Sequence, residues 1–201
     1  GALFRRSRTG KGEHLQVAMQ DAMLHYIRIA FAAQYRTGKA AMRAADSSVS
    51  NTPPPMGTFP CKGGGLNDYV YIFTSRANPE HWRRLLGVIG REDLVGDPRF
   101  DTPEARGERA AEVNEMIAVW TRQHTKQDAM DLVGAAGIPA GAVLDTMELS
   151  SDPTFEARGI MPVIDHPVVG KFKNVAWPVR FSGSPPPVKP SPLLGEHTDA
   201  V

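Results

Sequence analysis

The spacing of apolar residues changes along the chain, and each change predicts an element. Met19, Ala22, Met23, Tyr26, Ile27 and Ala30 share one face of a 3.6-residue period, which predicts a helix running to about Tyr35. Ahead of it, Ala2 to Arg8 reads as the last turns of another helix. Arg5, Arg6, Arg8 and Lys11 suit a helix C-terminus, where cations meet exposed carbonyls, and Gly10 and Gly12 then turn the chain. His14 to Val17 alternates weakly, as a short strand would. Residues 36–58 are small, polar or proline and show no period, so they read as a linker.

Beyond the linker the period becomes two. "TFPCK" and "YVYIFTS" flank "GGGLND", the pattern of a β-hairpin. Helices follow. Asn78 caps one, with Pro79 at its first position, where the missing N–H costs nothing; it ends near Gly90. Thr102-Pro103-Glu104 opens a second that reaches about Gln123, and Thr125 with Asp128 outlines a capping box for a third that stops at Gly137. "IPAGAVL" reads as a short buried strand, and Asp152-Pro153 starts one more helical turn. "IMPVID" and "KNVAWPVRFS" read as strands joined through "HPVVGKF", followed by the proline-rich arm "SGSPPPVKPSP". No cap precedes Ala2, and "LLGEHTDAV" approaches a helix that stops at Val201, so the chain is expected to be cut at both ends. The fold class expected is α/β.

Composition narrows the function without naming it. The chain has 201 residues, 41% of them hydrophobic, which is enough for a core. A net charge of +1 provides no field for nucleic acid or an acidic membrane. No apolar run approaches the roughly 20 residues a bilayer needs. Cys61 is the single cysteine, which excludes a disulfide framework and points to a reducing compartment, so a cytoplasmic location is expected.

The candidate chemistry is sparse. "TGKG" at 9–12 lacks the glycine spacing and the Lys-Ser/Thr pair of a phosphate loop and reads as a helix-ending turn. "KGGGL" at 62–66 reads as the hairpin turn. None of the six histidines has metal-ligand spacing with a cysteine or carboxylate cluster, so no metal is expected. Cys61 lies in an expected strand, away from any helix N-terminus, and reads as a packing residue rather than a nucleophile. There is no G-x-S-x-G elbow. The basic stretch "FRRSRTGK" is accounted for by helix-end charge. Pattern alone leaves the function open.

The order of motifs carries more. "R-TGKGE-LQVAMQDAML", "MGTFPCKGGGLNDYVYIFTS", "PEHWRRLLGVIGREDLVGDPRF", "GIPAGAVLDTMEL-SDP-F-ARG" and "PLLGEHTD" together resemble the class III CoA-transferases, the CaiB/BaiF family that includes formyl-CoA transferase and carnitine CoA-transferase. The resemblance implies that this chain is the C-terminal half of such an enzyme. Residues 1–35 would belong to a large, Rossmann-like domain, 36–55 to a linker, 56–155 to a small α/β domain with an antiparallel hairpin and helices, and 156–201 to the return into the large domain with the proline-rich arm.

It further implies covalent transfer of coenzyme A from an acyl-CoA to a carboxylic acid through an aspartyl-CoA thioester, with the aspartate upstream of Gly1, no catalytic residue within this chain, and no metal or redox cofactor. Met19 matches a methionine lining the CoA site. Pro54, Pro55, Met56 and Gly57 fall in the loop that closes over the acyl group, with prolines where formyl-CoA transferase has glycines. Asp21, Asp68 and Asp128 read as helix-start and turn residues. The partners implied are acyl-CoA, a carboxylic acid and a second copy of the chain in an interlocked homodimer, whose threading uses two irregular connections, 36–58 and 145–160. Two other readings stay open. The superfamily includes α-methylacyl-CoA racemases, which carry Glu where this chain has Asn78, a residue that carries no proton at neutral pH. A non-catalytic binding or scaffold chain is the other.

Overall fold

Three helices open the chain. α1 (Ala2–Thr9) ends at Gly10, whose φ of 68° and N–H bond to the Arg6 carbonyl make the helix-ending turn expected of "TGKG". Residues 11–18 then run without regular structure, so the weak strand expected at His14–Val17 is absent. Alternation alone does not make a strand, and among the described residues no segment pairs with this one. The single helix expected from Met19 is two, α2 (Met19–Tyr26) and α3 (Arg28–Thr37), broken at Ile27 with φ −88° and ψ 15°. The apolar face is present but uncovered: Met19 is 87% exposed and Tyr26 81%. The computed structural model describes residues 1–41, 55–179, 183 and 187–200, so most of the expected linker lies outside the described residues.

The expected hairpin follows. β1 (Met56–Pro60) and β2 (Tyr69–Phe73) pair antiparallel, with Met56 opposite Phe73, Thr58 opposite Tyr71 and Phe59 opposite Val70. Its turn needs its glycines. Gly63 has φ 114°, and a Cβ there would lie 2.4 Å from an Asp68 carboxylate oxygen that accepts the Gly65 N–H.

The helices start where their caps were legible. In α4 (Glu80–Val88) the Asn78 side chain accepts the Glu80 N–H at 3.2 Å. A one-turn 3₁₀ helix, Glu92–Leu94, comes next. The helix expected from Thr102 to Gln123 is two, α5 (Pro103–Glu108) and α6 (Ala110–Thr121), interrupted at Arg109. α7 (Lys126–Ala135) is capped by Thr125, whose hydroxyl accepts the Asp128 N–H. The Asp128 carboxylate accepts a hydrogen bond from the Thr125 hydroxyl at 2.7 Å, so the carboxylate is bound to the hydroxyl instead of the Thr125 N–H that a full capping box uses. β3 (Ala140–Ala142) adds to the far side of β2, giving the order β1-β2-β3.

α6 and α7 cover one face of this sheet. Phe59, Val70, Ile72, Trp82, Leu85, Leu86, Phe100, Val113, Ile117, Val133 and Ile138 form the core between them. A buried charge is held inside it. Arg106 donates to the carbonyls of Phe100 and Asp101 at 2.7 and 3.1 Å, and its guanidinium lies 5.0 Å from the Trp82 ring centroid. Burial pushes its pKa below the ordinary arginine value.

The chain divides into two compact units, Gly1–Ala142 and Val143–Val201. The second holds α8 (Thr146–Ser151), α9 (Pro153–Ala157), β4 (Val163–His166) and β5 (Gly170–Lys173). The irregular connection expected over 145–160 is therefore mostly helical. Asp145 and Glu148 form a complete capping box, a signal present in "DTME". The strand expected across "KNVAWPVRFS" sits earlier, because β5 pairs β4 through the tight turn at 167–169. Beyond β5, the Asn174 and Ala176 N–H groups donate back to Pro162 and Ile160, and the last residues of the expected strand, 180–182, lie outside the described residues. Residues 193–200 are successive turns, not a helix start.

Candidate active site

The candidate residues differ in exposure. Met19 is the first residue of α2, at the N-terminal end of the uncovered apolar face. Pro54 lies outside the described residues. Pro55 is fully buried, and Met56 and Gly57 are already paired in β1, so the loop expected to run through Gly57 becomes strand at Met56. Met19 is open and Pro55 enclosed.

Thr74, which sequence reasoning passed over, holds the entry to β1. Its hydroxyl donates to the Pro55 carbonyl at 2.8 Å and its backbone N–H to the same oxygen at 3.1 Å. The signal was available. Val70, Ile72 and Thr74 alternate onto the core face, and a hydroxyl buried there must find an acceptor. The next residue is held as well: the Ser75 N–H donates to Nδ1 of buried His81 at 3.1 Å, which makes that nitrogen the acceptor of the ring.

The other face of the sheet carries Met56, Thr58 and Pro60 opposite Phe73, Tyr71 and Tyr69. Thr58 is exposed, Tyr71 is 40% exposed, and the rest are half-buried. A strand apolar on both faces, as "YVYIF" is, belongs to a sheet covered on both sides.

Of the carboxylates that could be suspected as nucleophiles, Asp68 and Asp128 hold backbone or hydroxyl groups. Asp21 lies in the first turn of α2, Asp68 accepts the Gly65 N–H, and Asp128 accepts the Thr125 hydroxyl. Cys61 is 2% exposed, and burial, followed by the charge of Asp68, raises its pKa above the ordinary thiol value. A groove of about 570 Å³ lies beside α6, between Ile89, Phe100, Met116 and Trp120. Its two arginines are engaged, Arg91 by Asp93 and Arg99 by Asp97. Among the described residues no three His, Cys, Asp or Glu side chains are grouped to hold a metal ion, and no helix is long and apolar enough to cross a membrane.

The CoA-transferase family III profile matches residues 1–198. The chain belongs to this family. The family III chain is 35% identical to the formyl-CoA:oxalate CoA-transferase of Rhodopseudomonas palustris, over all of its own length and 50% of the relative's. It is 34% identical to that of Streptomyces avermitilis, again over its whole length and 51% of the relative. It superposes on a CAIB/BAIF family protein from Brucella suis with a TM-score of 0.76 and 28% identity, over 98% of this chain and 49% of the other. The family III chain thus spans about half the length of the curated relatives it matches.

Proposed function

We propose that this chain is the C-terminal half of a cytoplasmic class III CoA-transferase, and that the full-length protein moves coenzyme A from an acyl-CoA to a carboxylic acid. One observation carries the reading: the family match runs through residues 1–198, while the relatives continue for as many residues again. The uncovered apolar face of α2 and α3 supports it, because such a face asks for a partner surface. Met19 at the end of that face would border the CoA, and Pro54 to Gly57 the acyl group.

The chemistry proposed is an exchange through two carriers. An aspartate carboxylate outside this chain attacks the acyl-CoA carbonyl, forming a mixed anhydride and releasing CoA thiolate. The thiolate attacks the aspartyl carbonyl of the anhydride, giving aspartyl-CoA and the free donor acid. The acceptor carboxylate then attacks aspartyl-CoA, and the released thiolate attacks the acceptor's acyl carbonyl, regenerating the aspartate. Covalent storage splits one difficult exchange into steps of lower barrier. Asn78 supports transferase over racemase, since its side-chain oxygen is occupied as a helix cap and it has no proton to move at neutral pH.

The test is exchange in the full-length protein. Isotope-labelled carboxylic acid should enter the acyl-CoA pool in the presence of unlabelled acyl-CoA, with no exchange of the α-hydrogen with deuterated solvent. Solvent deuterium at Cα without acid exchange would favour the racemase; neither reaction would favour a scaffold.

A further inference from the structure

The groove beside α6 is a ligand-sized space with one charge left over. Ile89, Leu94 and Phe100 form its buried floor, and Met116 and Trp120 of α6 its wall. At about 570 Å³ it falls within the range of small-molecule sites, roughly 300–1,000 Å³. Trp120 is held in place: its ring stacks on His124 at 4.2 Å, and His124 Nδ1 donates to the Trp120 carbonyl at 2.9 Å. The rim is charged, with Arg91, Arg99, Glu112 and Glu115 bordering the apolar floor. Protein interfaces are depleted of charge at their buried centre, so this composition suits a small molecule better than a covering protein surface.

We infer that this groove binds a small amphipathic amine, its aryl or alkyl body along Met116 and Trp120 and its single positive charge beside Glu112. The sign of the charge follows from the ion pairs. Arg91 is closed onto Asp93 through Nε and Nη2, at 2.8 and 3.0 Å, and Arg99 onto Asp97 through the same two nitrogens. Arg122 pairs with Glu115. Each of these pairs cancels, whereas Glu112 forms no ion pair among the described residues. Its charge also reaches Arg91 and Arg99, so an anion drawn to either arginine meets Glu112 as well as the aspartate already there. The length of the ligand follows from the helix. Glu112, Met116 and Trp120 recur every four residues and so lie along one face of α6, over about 12 Å at 1.5 Å per residue. A charge at one end of an apolar body fits that row, and covering Met116 and the floor removes apolar surface from water. The groove's chemistry is independent of CoA transfer.

The test is calorimetric titration of the full-length protein with 4-phenylbutylamine, charged at neutral pH, against 4-phenylbutanol and 4-phenylbutyrate as neutral and anionic controls. The amine should bind about threefold or more tightly than the alcohol, the scale of a surface ion pair, and the butyrate should bind weakest. Added salt should erode the amine's advantage. Benzylamine, too short to run from Glu112 to Trp120, should bind less tightly than 4-phenylbutylamine. Glu112→Gln, at an exposed position, should bring the amine down to the level of the alcohol and leave the alcohol unchanged, whereas damage to the fold would weaken both. A ring-azido form of the amine should photolabel the α6 peptide that carries Met116 and Trp120. Binding of the alcohol or the butyrate as tight as that of the amine, an advantage that survives Glu112→Gln, labelling away from α6, or no binding at all would each overturn the proposal, whether or not the protein transfers CoA.

Discussion

The hydroxyl and the backbone N–H of Thr74 converge on the carbonyl oxygen of Pro55, at 2.8 and 3.1 Å. The two residues are 19 positions apart, and their bonds tie the entry of β1 to the exit of β2 just beyond the first paired residues, Met56 and Phe73. Thr74→Val keeps the shape and removes the hydroxyl, so it should cost about 1 kcal/mol, while Thr74→Ser, which keeps the donor, should cost less. Equilibrium urea unfolding of the two variants checks the order. Equal losses would mean that the methyl group, not the hydroxyl, matters at this position.

Cys61 should be silent as a nucleophile. It is buried against the core, and burial together with the negative Asp68 holds the thiol protonated above its ordinary pKa of 9.0. Ellman's reagent should label it slowly in the native protein at neutral pH and at once in denaturant. Fast native labelling would contradict the packing.

Acid should weaken this unit through a defined set of carboxylates. Hydrogen bonds from Arg91, Arg99 and Arg122 hold Asp93, Asp97 and Glu115 below their ordinary values of 3.8, 3.8 and 4.5. A lowered folded pKa adds stability that is present above the unfolded value and lost as pH falls through the folded one. Stability should therefore hold down to about pH 4.5 and decline below it, and salt should shrink the effect because the three pairs lie at the surface, with Asp97 alone mostly covered. Asp97→Asn should flatten the acid limb by lowering the neutral plateau toward the acid value, because the contribution it removes is the one present above the unfolded pKa. Urea midpoints measured from pH 7 to pH 2.5 are the readout.

The full-length protein should be an obligate homodimer with an interface above roughly 2,000 Å², where obligate contacts begin. Met23, Tyr26 and Ile27 on α2 and its junction are 61%, 81% and 47% exposed, an apolar face that asks for a covering surface. The connection over 145–160 gives less support than its sequence suggested, because α8 and α9 occupy it. Sedimentation equilibrium at micromolar concentration is the check, and a stable, active monomer would refute the dimer.

What the sequence reveals here is mostly what is local. Asn78-Pro79, Thr102-Pro103 and Thr125-Asp128 announce helices because caps act within three residues, and "GGGLND" announces the hairpin because its turn demands glycine. His14–Val17 and "KNVAWPVRFS" mislead because a strand is made by its partner, and pairing is not written in either segment. "DTME" was legible as a capping box but short enough to pass as loop. The site was less legible still. Met19 and Met56 were reached through resemblance, whereas Thr74 needed only the question of where a core-facing hydroxyl finds its acceptor.

The central claim is that the covalent carrier of CoA lies outside these residues. It is tested by incubating the full-length protein with acyl-CoA, quenching in acid, and mapping the adduct by peptide mass spectrometry. The account predicts one CoA thioester per chain, on an aspartate that precedes Gly1, and no adduct when residues 1–201 are incubated alone. A stoichiometric adduct on Asp21, Asp68, Asp128 or any other residue of this chain would contradict it.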